Sequence, residues 1–116
     1  CLFGCGGDRD RGKRPQMAQV AEQRADRLVI SSDNPRSEEP EAIIDEVMTG
    51  LFRPAQALRQ ADRRLAIEMI INQAAAGDVV LIAGKGHESY QEINGVRYPF
   101  SDIEIVQSCL GVTDAD

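Results

Sequence analysis

The sequence predicts an α/β fold, a three-layer Rossmann-like sandwich on a mostly parallel sheet, with a C-terminal hairpin at one edge. Three observations predict it. Short apolar runs at 1–3, 28–30 and 79–83 alternate with longer segments whose apolar residues recur every three or four positions. Val79-Val80-Leu81-Ile82-Ala83 is continuously apolar, as expected of a strand buried on both faces of a parallel sheet. Asn94-Gly95 separates two short β-type runs, a strong hairpin signal.

Cys1-Leu2-Phe3 reads as the end of a strand. A strand feeding a glycine loop normally starts some residues earlier, so a domain truncated at its N-terminus is expected. Pro15 suits the first position of a helix, which carries Met17, Val20, Ala21 and Ala25 at helical spacing. After the Leu28–Ile30 strand, Pro40 opens a second helix with Ile43, Ile44, Val47, Met48 and Leu51 as its buried stripe, and Gly50 marks its end. An extended piece follows at 55–58. Asp62 is the expected cap of a third helix, with Leu65, Ala66, Met69, Ile70 and Ala74 on its apolar face and its end at Gly77. Beyond the hairpin at 90–98, Ser101-Asp102-Ile103-Glu104 is a capping box, and Phe100 with Ile105 forms a staple. The last helix is expected to turn Ile103, Val106 and Leu110 inward and to stop at Gly111. Residues 1–111 thus read as one domain and 112–116 as a tail.

Composition narrows the function. Thirteen Lys and Arg against nineteen Asp and Glu give a net charge of −6, which disfavours a phosphate-backbone binder. No apolar run approaches the ~20 residues of a membrane span, so neither nucleic acid nor membrane is an expected partner. Cys1, Cys5 and Cys109 lack zinc-type spacing, so reduced thiols are expected and no metal site is indicated.

Ligands of such folds bind where strands end at their carboxyl edge, and three loops meet that description. The first, Gly4-Cys5-Gly6-Gly7-Asp8-Arg9-Asp10-Arg11-Gly12-Lys13, imitates a P-loop, but Arg14 stands where the magnesium-binding Ser or Thr belongs. Its Arg9 has the guanidinium geometry to fork onto a carboxylate or phosphate. In the second, Asp33-Asn34-Pro35-Arg36, Pro35 stiffens the backbone, Asn34 offers donor and acceptor, and Arg36 offers another fork. In the third, Gly84-Lys85-Gly86-His87-Glu88, the glycines admit a ligand close to the backbone, and Glu88 accepts from an ammonium. His87 is the sole histidine and reads as a hydrogen-bonding or solvated loop residue. Fixed cations, a carboxylate, an amide and bare backbone together suit a zwitterion. The chemistry points to an amino-acid-like ligand.

GCGGDRDRGKRPQM, DNPR and GKGHESYQ, in this order and at these separations, resemble the C-terminal domain of the Mur ligases, over residues 1 to about 111. The closest similarity is to the branch that adds meso-diaminopimelate as the third residue of the peptidoglycan stem peptide. The resemblance implies a meso-diaminopimelate site made of Arg9, Asp33, Asn34, Pro35, Arg36, Gly84 and Glu88. It implies ATP-dependent amide bond formation onto UDP-N-acetylmuramoyl-L-alanyl-D-glutamate in the cytoplasm. ATP and Mg2+ would be bound mainly by a central domain, and the UDP group by an N-terminal domain. No catalytic residue is assigned within 1–116, and the isolated fragment is expected to be inactive. Two alternatives stand beside this reading. One is a lysine-adding homologue, disfavoured because such relatives generally lack an arginine at the position of Arg36. The other is a free-standing ligand-binding α/β module without chemistry.

Overall fold

The computed structural model describes residues 1–111, so the expected tail at 112–116 lies outside the described residues. In chain order the elements are β1 (Leu2–Phe3), α1 (Lys13–Arg24), β2 (Val29–Ile30), α2 (Pro40–Met48), β3 (Leu58–Arg59), α3 (Arg63–Gln73), β4 (Tyr90–Ile93), β5 (Val96–Pro99) and α4 (Asp102–Leu110). β1, β2 and β3 are parallel neighbours in that order, with Leu2 opposite Val29 and Val29 opposite Leu58. Ile82 joins the free side of β1 by one parallel bridge.

Side chains alternate across a strand, and that alternation makes the three layers. Phe3 and Ile30 face α1 and α2, where Ala18, Ile43, Ile44 and Val47 close one core. Leu2 and Val29 face the opposite side and pack with Ala66, Ile67, Ile70 and Ile105 of α3 and α4. Ile44 and Ile67 are fully buried, and each such side chain stabilises the fold by about 1.5–3 kcal/mol. Helix ends follow local chemistry. Asp62 accepts from the Leu65 N–H at 3.1 Å and Ser101 from the Glu104 N–H at 3.2 Å, while Gly111 takes the left-handed conformation that closes α4. Asn94 and Gly95 both have positive φ, as the tight β4–β5 turn requires. The hairpin forms its own two-stranded sheet and is bridged to the second ligand loop, Arg36 beside Ile93.

Several expectations change. Residues 79–83 do not form a strand buried on both faces: Val79 is 93% and Leu81 58% exposed. Backbone bonds tie this segment to β1 only on one side, from Leu2 N–H to Leu81 O and from Ala83 N–H to Leu2 O. α1 begins at Lys13, so Pro15 falls third, where its missing N–H still costs no helical bond. Ala18 and Ala21 supply its inner face, whereas Met17 and Val20 are exposed. α3 turns Ala66, Ile67 and Ile70 inward and leaves Leu65 outside, and it ends at Gln73, before Gly77. α4 buries Ile105, not Ile103 or Leu110. A 3-10 turn at Pro54–Gln56 replaces the first half of the extended piece expected at 55–58, and Ala57 and Leu58 are extended. Gly50 does not act as a left-handed stop. A Cβ there would lie 1.9 Å from Pro15 O, so it lets α2 approach α1.

Candidate functional site

β1, β2 and Ile82 run in one direction, so the loops that follow them meet at one edge. The first loop is pressed onto the second. Gly7 N–H donates to Asn34 O at 2.7 Å, and a Cβ on Gly7 would lie 1.8 Å from Pro35 O. These glycines therefore serve loop-to-loop contact. The adjoining cation is also engaged: Arg14 is buried and donates to Glu38 (2.7 Å), Glu46 (2.5 Å) and Gly6 O (3.0 Å). With the Gly7 N–H and Arg14 so occupied, Gly7–Lys13 does not fit a nucleotide triphosphate.

Arg14 and the Asp8 N–H, 2.6 Å from Glu38, hold the Glu38 carboxyl down at about 2, from an ordinary value of 4.5. A folded-state pKa below the unfolded one stabilises above the unfolded value, and that contribution is lost as pH falls through the folded value. The chain is therefore expected to lose stability from pH 4.5 down towards 2. Glu38→Gln is expected to flatten the fall in urea-unfolding midpoint over this window; an unchanged slope would remove Glu38 from the account. Nearby, burial pushes the Cys5 thiol up to about 11, which suits a packing role against Met17.

The second and third loops interlock around Asn34. This side chain is buried; its Oδ1 accepts from Lys85 Nζ at 2.8 Å and from the Glu92 N–H at 3.0 Å. Its Nδ2 is thereby turned to Glu88 Oε1, 3.3 Å away. Asp33 Oδ1 lies 3.0 Å from Lys85 Nζ as an ion pair, without the alignment of a hydrogen bond. Gly84, at φ 118°, faces Asp33: a Cβ there would lie 3.5 Å from Asp33 Oδ2. Arg36 adopts φ 52°, a costly conformation for a residue with a Cβ. The hairpin imposes it, because Arg36 N–H donates to Glu92 O at 3.0 Å and Asn94 N–H to Arg36 O at 2.8 Å.

The structure thus brings Asp33, Asn34, Pro35, Arg36, Gly84 and Glu88 together. Arg9 joins them across Gly6: a Cβ on Gly6 would lie 2.9 Å from Arg36 Nη1 and 3.5 Å from Arg9 Cγ. Arg9 is exposed and has no hydrogen-bond partner among the described residues. Arg36 is not the free fork that its sequence context suggests; Nη1 donates to Gly7 O at 3.0 Å, and Nε lies 3.7 Å from Glu92. His87 is exposed and shares a hollow with Asp102, Ile103 and Val106. Sequence reasoning missed Lys85, Glu92 and Gln91, whose Nε2 donates to Asp33 O at 2.7 Å. A lysine between two glycines after an apolar run was the available signal. A cavity of about 1300 Å³ lies elsewhere, along Met17, Val20, Ile70 and Leu81, and none of the predicted site residues lines it. The carboxyl-edge cluster carries the charge, the amide and the imposed backbone geometry, and it is the better candidate.

With this geometry in view, the chain matches the family described as Mur ligase, glutamate ligase domain, over residues 1–86. It is 54% identical over 115 residues to the UDP-N-acetylmuramoyl-L-alanyl-D-glutamate–2,6-diaminopimelate ligase of Pseudomonas putida, covering 99% of this chain and 23% of that protein. It is 56% identical to the Chromobacterium violaceum protein of the same name, over 95% of this chain and 22% of the relative. A solved structure of such a ligase superposes with a TM-score of 0.90 at 51% identity, over 95% of this chain and 23% of that one. The chain spans about a quarter of the length of the relatives it matches. Family model, identity and superposition agree with the convergence of the three loops: this chain belongs to the Mur ligase family.

Proposed function

We propose that this chain is the amino-acid-selecting domain of an ATP-dependent ligase that adds meso-diaminopimelate to UDP-N-acetylmuramoyl-L-alanyl-D-glutamate in peptidoglycan synthesis. The convergence of Arg9 and Arg36 with Asp33, Asn34, Gly84 and Glu88 at one sheet edge carries this reading. Diaminopimelate presents a carboxylate and an ammonium at each end. Arg36 takes the carboxylate that lysine lacks, Arg9 the other, and Glu88 an ammonium, while Gly84 lets the ligand approach the backbone. ATP and Mg2+, which other parts of a longer cytoplasmic protein would mainly bind, would supply the phosphoryl group that activates the dipeptide carboxylate, and phosphate would leave as the amine of the bound amino acid forms the amide. Among the described residues no helix is long and apolar enough to cross a membrane.

A site built around a carboxylate rejects a ligand without one, because its buried polar groups are then left unpaired. Protein carrying this domain, given equal meso-diaminopimelate and lysine with ATP and the nucleotide dipeptide, is expected to yield mainly the diaminopimelate product by mass spectrometry. Residues 1–116 alone are expected to form neither product and to release no phosphate from ATP. Predominant lysine incorporation by the longer protein would overturn the proposed specificity.

A further inference from the structure

Lys85 takes no part in the site as read from the sequence, yet its side chain is fully buried at the centre of that site. Withdrawing an ammonium from water is costly unless each of its hydrogens finds an acceptor. Three partners within 3.0 Å meet it: Asn34 Oδ1 at 2.8 Å and Tyr90 O at 3.0 Å accept hydrogen bonds, and Asp33 Oδ1 at 3.0 Å is the ion-pair partner. Glu88 Oε1 lies 3.7 Å away, and the Phe100 ring centroid 5.8 Å away. With its ammonium enclosed by these partners and no exposed face, Lys85 does not reach a ligand. Asp33, Asn34 and Glu88, three of the groups it touches, are the proposed ligand-reading residues.

We propose that Lys85 is a positioning residue for the incoming amino acid, fixing the orientation of the Asn34 amide and the placement of Asp33 and Glu88. This rests on the proposed amino-acid site. The physical argument has two parts. Asn34 Oδ1 receives donors from both Lys85 and the Glu92 backbone, so its Nδ2 has to face Glu88. Without the ammonium, that choice rests on one backbone donor. Asp33 and Glu88 also share Lys85 as a counter-ion. Its removal leaves two like charges facing one another, and Glu88, which is partly exposed, then swings towards water. A displaced Glu88 no longer meets the substrate ammonium, whereas groups that bind the other substrates are untouched.

The test uses the full ligase carrying this domain, with Lys85→Met and Lys85→Arg. Steady-state kinetics are measured for whichever amino acid the wild type uses, and for ATP and the nucleotide dipeptide. Lys85→Met is expected to raise KM for the amino acid at least tenfold, with KM for the other two substrates and kcat changed less than twofold. Lys85→Arg keeps the buried charge should the methionine variant not fold. It is expected to show the same selective rise, because a planar fork does not match three partners arranged around one point. An unchanged amino-acid KM, or equal rises for all three substrates, would overturn the positioning role. A wild type that uses lysine would instead overturn the diaminopimelate reading, with Lys85 then judged on KM for lysine.

Discussion

Arg36→Ala is expected to lower kcat/KM for meso-diaminopimelate about ten- to hundredfold, the loss of a charge-assisted contact of about 1.5–3 kcal/mol. Arg36 is held before any ligand arrives. Its backbone is clamped on both sides by the hairpin, through Glu92 O and the Asn94 N–H, and one guanidinium nitrogen rests on Gly7 O. Such a side chain loses little freedom on binding, so most of the contact energy is retained. Arg36→Lys is expected to rescue little, since an ammonium on a flexible stem does not hold the Gly7 O contact and a ligand carboxylate in one fixed plane. Residual activity with lysine is expected to change much less, because lysine has no second carboxylate to lose. The measurement is steady-state kinetics of both variants with both amino acids, in the protein carrying this domain. Equal losses for the two substrates would mean that Arg36 holds the first loop through Gly7 and does not read the ligand.

The second large effect is structural. Arg63 and Asp102 form a buried pair joining α3 to α4, with Nε to Oδ1 at 2.8 Å and Nη2 to Oδ2 at 2.7 Å. The same guanidinium donates to Ser32 O at 3.0 Å and Ala83 O at 3.2 Å, the carbonyls immediately before two of the ligand loops. Removing one partner of such a pair leaves an uncompensated buried charge, so Arg63→Ala is expected to destabilise the chain by about 3–5 kcal/mol. Two orphaned carbonyls add to the loss. Arg63→Met combined with Asp102→Leu removes both charges, and it is expected to be more stable than Arg63→Ala while remaining below wild type. Urea unfolding of the wild type and the two variants measures this. A loss below about 1 kcal/mol in Arg63→Ala would place the pair among weak surface interactions.

Locally encoded features were legible in the sequence. Asp62 and Ser101 cap their helices because a short side-chain oxygen reaches an N–H three residues on, whatever the tertiary context. Asn94-Gly95 makes its turn because both residues tolerate positive φ. Alternation of strand and helix was enough for the layered parallel sheet. The three motif loops were legible as neighbours because successive parallel strands end at a common edge.

Helix faces were less legible. On α1, α3 and α4, apolar residues are spread over more than one face, and only packing decides that Ala18, Ile67 and Ile105 turn inward while Met17, Leu65 and Ile103 do not. Residues 79–83 carry a pattern of full burial, but burial needs neighbours on both sides, and only β1 pairs with them. The α/β class, the caps and turns, and the loops that follow the parallel strands were readable from the sequence alone, because each depends on residues a few positions apart. Only the tertiary structure decided that Arg14, Arg63 and Lys85 are buried. Their partners stand 24, 39 and 51 residues away, at Glu38, Asp102 and Asn34. A charge leaves water only where distant segments bring acceptors to it, and no local pattern specifies that meeting.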